Sequence, residues 1–207
     1  MISICLHGWG SSARQFQAHW EATADAVDGH GAPERLFLDG LEAEPVSGNR
    51  RWFAFTGRHD RLAASLCDCV PRLEALVAQQ LSREGLAPET PIGVVGHSQG
   101  GMLALALAAR QRLHIVRADA FAAFLPAAYM AARMARADAG GRAQVALALY
   151  SSAPDPFVPH EAVQRTAEWL RSLEIGAVDH HVVADLPHAF SPAWIEAANR
   201  ERKPCLP

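Results

Sequence analysis

Short apolar runs alternate with amphipathic stretches along almost the whole chain. Ile2–Leu6, Arg35–Leu38, Ile92–Val95, Ala120–Leu125, Gln144–Tyr150 and Val178–Val183 are apolar enough for strands. Between them, stretches at 13–27, 61–84, 100–111, 127–137, 160–173 and 192–202 carry their apolar residues at helical spacing. The clearest stripe is Leu62, Leu66, Val70, Leu73, Val77 and Leu81. Pro71 lies within that stretch and predicts a kink or a division. Gly29-His30-Gly31 closes the first helical stretch and Gly85 the second. The helix over 100–111 is apolar nearly all round, which predicts burial against a sheet. Residues 40–60 show no period, and this long loop carries Trp52, Phe53 and Phe55.

Strands alternating with helices predict a parallel sheet covered on both faces. Loops at the carboxyl ends of such strands form the crevice in which ligands bind, at the place where strand order reverses. At 207 residues one domain over 1–207 is expected, long enough to bury a core. The composition is 50% hydrophobic and 20% charged, and the net charge is −3. There is one lysine, Lys203, and the arginines are scattered, so neither nucleic acid nor an anionic membrane surface is an expected partner. The opening residues Met1–Leu6 read as a strand rather than a signal peptide. No run approaches a membrane span, the Ala-rich stretch 118–135 being interrupted by Asp119, Pro126 and Arg133, so stable membrane insertion is not expected. Cys5, Cys67, Cys69 and Cys205 lack metal or redox spacing and read as reduced thiols of a cytoplasmic protein. A pairing of Cys67 or Cys69 with Cys205 is left open.

Chemistry concentrates at Gly96-His97-Ser98-Gln99-Gly100, between an apolar run and a helical one. This is the G-x-S-x-G pattern in the strand–turn–helix setting of a nucleophile elbow. So sharp a turn leaves no room for side chains two residues either side of Ser98, hence Gly96 and Gly100. A serine hydroxyl needs a base, and the base an orienting acid, in the chain order Ser…Asp…His. His188, after the last strand, fits the base. Asp155, in the proline-stiffened loop Ser151–Pro159, fits the acid, with Asp185 the alternative. Asp119 falls at the start of its strand, the wrong edge. The oxyanion requires two amide donors: that of Gln99, after the nucleophile, and that of Trp9, in the turn His7-Gly8-Trp9-Gly10. His97 is expected to shape the pocket or to pack. No H-E-x-x-H or similar cluster suggests a metal, and no cofactor is required.

Leu6–Gly10, Arg51-Trp52-Phe53, Gly96–Gly101, Asp155–Pro159 and Pro187-His188 together resemble the phospholipase/carboxylesterase family of α/β-hydrolases, over nearly the whole chain. The resemblance implies a three-layer α/β-hydrolase fold with a reduced, mostly parallel sheet of about six strands. It also implies an esterase or thioesterase with Ser98, Asp155 and His188 as triad and donors from Trp9 and Gln99. Three departures stand out: His97 where the family has Phe, Pro187 where it has Gly, and an opening on the oxyanion strand rather than a hairpin. Trp9, Trp52, Phe53, Phe55, Phe124, Phe157 and Phe190 flank strand ends or the long loop and predict an apolar pocket, although at least two of the seven are expected to fill the core. The expected substrate is a small-molecule ester or thioester with a small to medium apolar acyl group. A pathway thioesterase or acyltransferase with the same triad is the alternative, and a non-catalytic ligand-binding protein the rival from another class.

Overall fold

The computed structural model describes residues 1–24, 34–57, 59–134 and 144–201. In chain order the elements are β1 (Ile2–Leu6), α1 (Ala13–Ala24), β2 (Arg35–Leu38), β3 (Glu42–Ala43), β4 (Arg50–Arg51), α2 (His59–Arg83), β5 (Ile92–His97) and α3 (Gln99–Arg110). There follow β6 (Ile115–Phe121), α4 (Ala127–Met134), β7 (Ala146–Ser152), α5 (His160–Ser172), β8 (Val178–Val183) and α6 (Pro192–Glu201). Residues 25–33, which include the expected end of the first helix at Gly29–Gly31, lie outside the described residues, as do 135–143 and 202–207 with Cys205.

Six strands form one sheet in the order β2-β1-β5-β6-β7-β8, and every pairing in it is parallel. Burial on both faces explains why β1 and β5 read as continuous apolar runs rather than alternating ones. Successive side chains still divide between the faces. Ile2, Ile4 and Leu6 join a core with α2, α3, α4 and α5, while Cys5 joins a second core with Phe16 and Trp20 of α1 and Trp194 and Ile195 of α6. These are the three layers.

Topology positions the site. The chain runs outward from β1 to β2, then returns to lay β5 on the other side of β1. The loops leaving β1 and β5 therefore diverge, and a crevice opens at their carboxyl ends.

The structure corrects four local expectations. The fourth strand of the sheet runs over 115–121, not 120–125, because the Ala-Ala-Phe-Leu that follows Phe121 turns away, with Ala122 at a φ of 47°. Asp119 consequently lies inside that strand, buried, where the Arg117 guanidinium donates to both its oxygens at 2.8 and 3.0 Å. The unpatterned stretch 40–60 contains a two-stranded antiparallel ribbon, β3 with β4, too short to show a period. Finally, α2 is one undivided helix through Pro71. Proline's lost amide bond is tolerated on the exposed face, while Leu66, Cys69, Val70 and Leu73 remain packed.

Candidate active site

Ser98 stands between β5 and α3 at φ 51° and ψ −115°, a region that side-chain-bearing residues rarely occupy. A Cβ on Gly96 would overlap the Gly100 carbonyl, and one on Gly100 would overlap that of Leu6. Both glycines are thus required by close approach, Gly96 to the returning helix and Gly100 to β1. The Ser98 amide donates to Phe121 O at 2.9 Å, which ties the turn to the neighbouring strand.

His188 lies in the loop between β8 and α6, and Asp155 in the loop between β7 and α5. The His188 Nδ1–H donates to Asp155 Oδ2 at 2.7 Å, and Nε2 faces Ser98 Oγ at 3.1 Å. With Nδ1 committed to the carboxylate, Nε2 is the atom able to accept the serine proton. The second oxygen of Asp155 accepts the amides of Phe157 and Val158 at 2.9 and 3.1 Å. The carboxylate, 7% exposed, is therefore held by both its own loop and His188. Asp185, the alternative acid, sits on an exposed turn at φ 53°.

The turn after β1 is braced from several sides. His7 is fully buried; its Nδ1–H donates to Gly8 O at 2.7 Å and its Nε2 accepts the Gly40 amide at 2.9 Å. Burial holds the His7 pKa below the ordinary histidine value, against the raising effect of the Gly8 bond. The Gly10 amide donates to Arg50 O at 3.0 Å, and Asn49 Nδ2 donates to Gly10 O at 2.9 Å. The Trp52 indole N–H donates to His7 O at 2.8 Å. The Gln99 side chain closes this frame, accepting the Trp52 amide at 3.1 Å and donating to Phe53 O at 2.9 Å. The amides of Trp9 and Gln99 themselves donate no backbone hydrogen bond among the described residues.

Above these groups lies a cleft of about 710 Å³. A model of the phospholipase/carboxylesterase family matches residues 2–201. The chain belongs to the phospholipase/carboxylesterase family. Solved structures agree on the fold. Esterase PE8 superposes with a TM-score of 0.77 at 21% identity, covering 96% of this chain and 89% of its own. Arabidopsis thaliana SOBER1 gives 0.73 at 18%, with 97% and 96% covered, and Zea mays acyl-protein thioesterase 2 gives 0.67 at 20%, with 96% and 90% covered. No curated protein matches the chain.

In this phospholipase/carboxylesterase-family hydrolase, five of the seven aromatics singled out in the sequence reach the cleft: Trp9, Phe55, Phe124, Phe157 and Phe190. Trp52 and Phe53 do not. Both are buried in the core, and their contribution is the frame beneath the turn after β1. Phe157 is 68% exposed at the rim, with its ring 5.0 Å from that of His188. Leu62, Met102 and Val158 extend the apolar lining, and among the described residues no Asp, Glu, Lys or Arg belongs to it. The Arg51 guanidinium covers the Trp9 ring at 5.2 Å while its Nε donates to Glu42. Among the described residues no group of His, Cys, Asp and Glu is arranged to hold a metal, and no helix is long and apolar enough to cross a membrane.

Sequence reasoning missed two contributions to the site. One is the side chain of Gln99, valued for its amide alone; its glutamine identity was the available signal, since a buried amide side chain must find partners. The other is Thr166 of α5, whose hydroxyl accepts the Leu125 amide at 2.9 Å and donates to Ala162 O at 2.8 Å, holding the cleft segment after β6. No sequence pattern links positions 125 and 166.

Proposed function

We propose that the protein is a serine carboxylesterase that cleaves esters of small to medium apolar acyl groups through an acyl-enzyme. The observation that carries this reading is the continuous relay Asp155–His188–Ser98 at 2.7 and 3.1 Å, opening on an uncharged apolar cleft. Asp155 holds His188 with Nε2 toward the serine. His188 takes the Ser98 proton as Oγ attacks the carbonyl carbon, and the amides of Trp9 and Gln99 receive the oxyanion. The Gln99 amide belongs to the first turn of α3, whose N–H groups lack intrahelical partners and carry the positive end of the helix dipole. His188 then protonates the departing alkoxide, and water deacylates Ser98 by the same route. Thioesters meet the same groups, with a thiol leaving instead of an alcohol.

The test is hydrolysis of p-nitrophenyl esters of increasing chain length, with Ser98→Ala as control and intact-mass analysis after a fluorophosphonate. The wild type gains one phosphonyl adduct and turns over the esters. Ser98→Ala takes no adduct and loses at least about 10³-fold in kcat. Equal activity in the two proteins overturns the mechanism.

A further inference from the structure

His97 is the last residue of β5 and the neighbour of Ser98. Two-residue periodicity puts it on the face of Val95, among the aromatics of the α1–α6 side. Its ring lies 5.2 Å from that of Phe190 and 5.2 Å from that of His188, and the residue is 6% exposed. A phenyl ring could fill this space. What imidazole adds is one hydrogen bond, from Nε2 to the main-chain carbonyl of His188 at 2.7 Å. A carbonyl only accepts, so Nε2 carries the proton and Nδ1 is bare. Nδ1 turns toward Gly8, where an added Cβ would come within 2.7 Å of it.

The loop from β8 to α6 is fastened at three consecutive residues. The Leu186 amide donates to Ser152 Oγ at 3.1 Å, Pro187 O accepts from the Trp194 indole at 3.1 Å, and His188 O accepts from His97. The first bond ties the loop to β7 and the second to its own following helix. Of the three, the third alone reaches the segment that carries Ser98.

We infer that His97 is a positioning residue for His188, its Nε2–H pinning the His188 carbonyl so that the His188 imidazole meets Ser98 Oγ at hydrogen-bonding distance. The inference rests on the proposed role of His188 as base. Burial pushes the His97 pKa down to about 3, with the neighbouring His188 charge acting in the same direction. The side chain therefore stays a neutral donor while His188 gains and loses its proton. A permanent charge at that distance would oppose the imidazolium on which acyl transfer depends. Apposition of the reacting atoms is where small displacements cost most, a 1 Å error being worth on the order of 10²-fold in rate.

Three variants test it. His97→Phe keeps the ring and removes the donor. His97→Gln retains an N–H at the same reach, and His97→Met matches the glutamine in length without it. Expected are a fall in kcat of about tenfold to hundredfold in His97→Phe and His97→Met, with KM within about twofold, and recovery of most of that loss in His97→Gln. The downfield Nδ1–H resonance of His188 should broaden or shift in the first two and return in the third. If His97→Phe fails to fold, the Met–Gln pair isolates the same donor. Wild-type kcat in His97→Phe, or in His97→Met, overturns the inference, as does a loss in His97→Gln equal to that in His97→Met. His188→Ala separates the two levels. An active His188→Ala overturns the mechanism itself, whereas an inactive one beside a fully active His97→Phe overturns only the role of His97.

Discussion

His97, beside Ser98, and His7, in the turn after β1, have their protonation settled by their surroundings in opposite ways. His97 carries its proton on Nε2 to reach a carbonyl, while His7 carries it on Nδ1, leaving Nε2 to accept the Gly40 amide. Both are buried, and burial lowers both pKa values from the ordinary 6.5, that of His97 to about 3. The unfolded chain therefore binds protons before the folded one as pH falls. Neither histidine contributes to the pH dependence of stability above about pH 7. Below about 6.5 both lower stability; for His97 the slope approaches about 1.4 kcal/mol per pH unit and the decline continues to about pH 3. Urea midpoints measured from pH 8 to 4 should show the plateau and the fall, and His97→Phe should flatten the acid limb. An acid limb as steep as in the wild type would mean that His97 is not held neutral by the fold.

At the scale of elements, the turn after β1, proposed to receive the oxyanion, owes its shape to a segment that looks structureless in sequence. The ribbon of β3 and β4 delivers Asn49 and Arg50 to Gly10, and the chain leaving it delivers the Trp52 indole to His7 and the Trp52 amide to Gln99. Trp52→Phe keeps most of the packing and leaves the buried His7 carbonyl without that donor. The expected cost is about 1–3 kcal/mol of stability. A several-fold drop in kcat should accompany it, since the Trp9 amide belongs to the same turn. Chemical denaturation and steady-state kinetics on one preparation check both, and an unchanged kcat would show the turn to be held without the indole.

For the molecule as a whole, the two cores on either side of one parallel sheet set which thiols can react. Burial pushes the Cys5 and Cys69 thiols up to about 12, while Cys67 is exposed. Among these three, brief alkylation of the native protein should mark Cys67, with Cys5 and Cys69 following only in denaturant, as peptide mapping would show. Marking of Cys5 under native conditions would mean that the sheet opens locally beneath α1 and α6. The same architecture explains what could be read without coordinates. Parallel strands buried on both faces make apolar runs, and an elbow needs its glycines, so the sheet, the helices and the Ser98 turn follow from local pattern. So does the chain order that singles out Asp155 and His188. The sequence by itself determined these because each depends on neighbours a few residues away or on a fixed order of elements. Only the tertiary structure decided that Trp52 and Phe53 face the core while Phe55 faces the cleft, that Gln99 and Thr166 fasten loops, and that His97 grips the carbonyl of His188. Those outcomes depend on partners up to 91 positions apart, brought together by sheet order rather than by any local period.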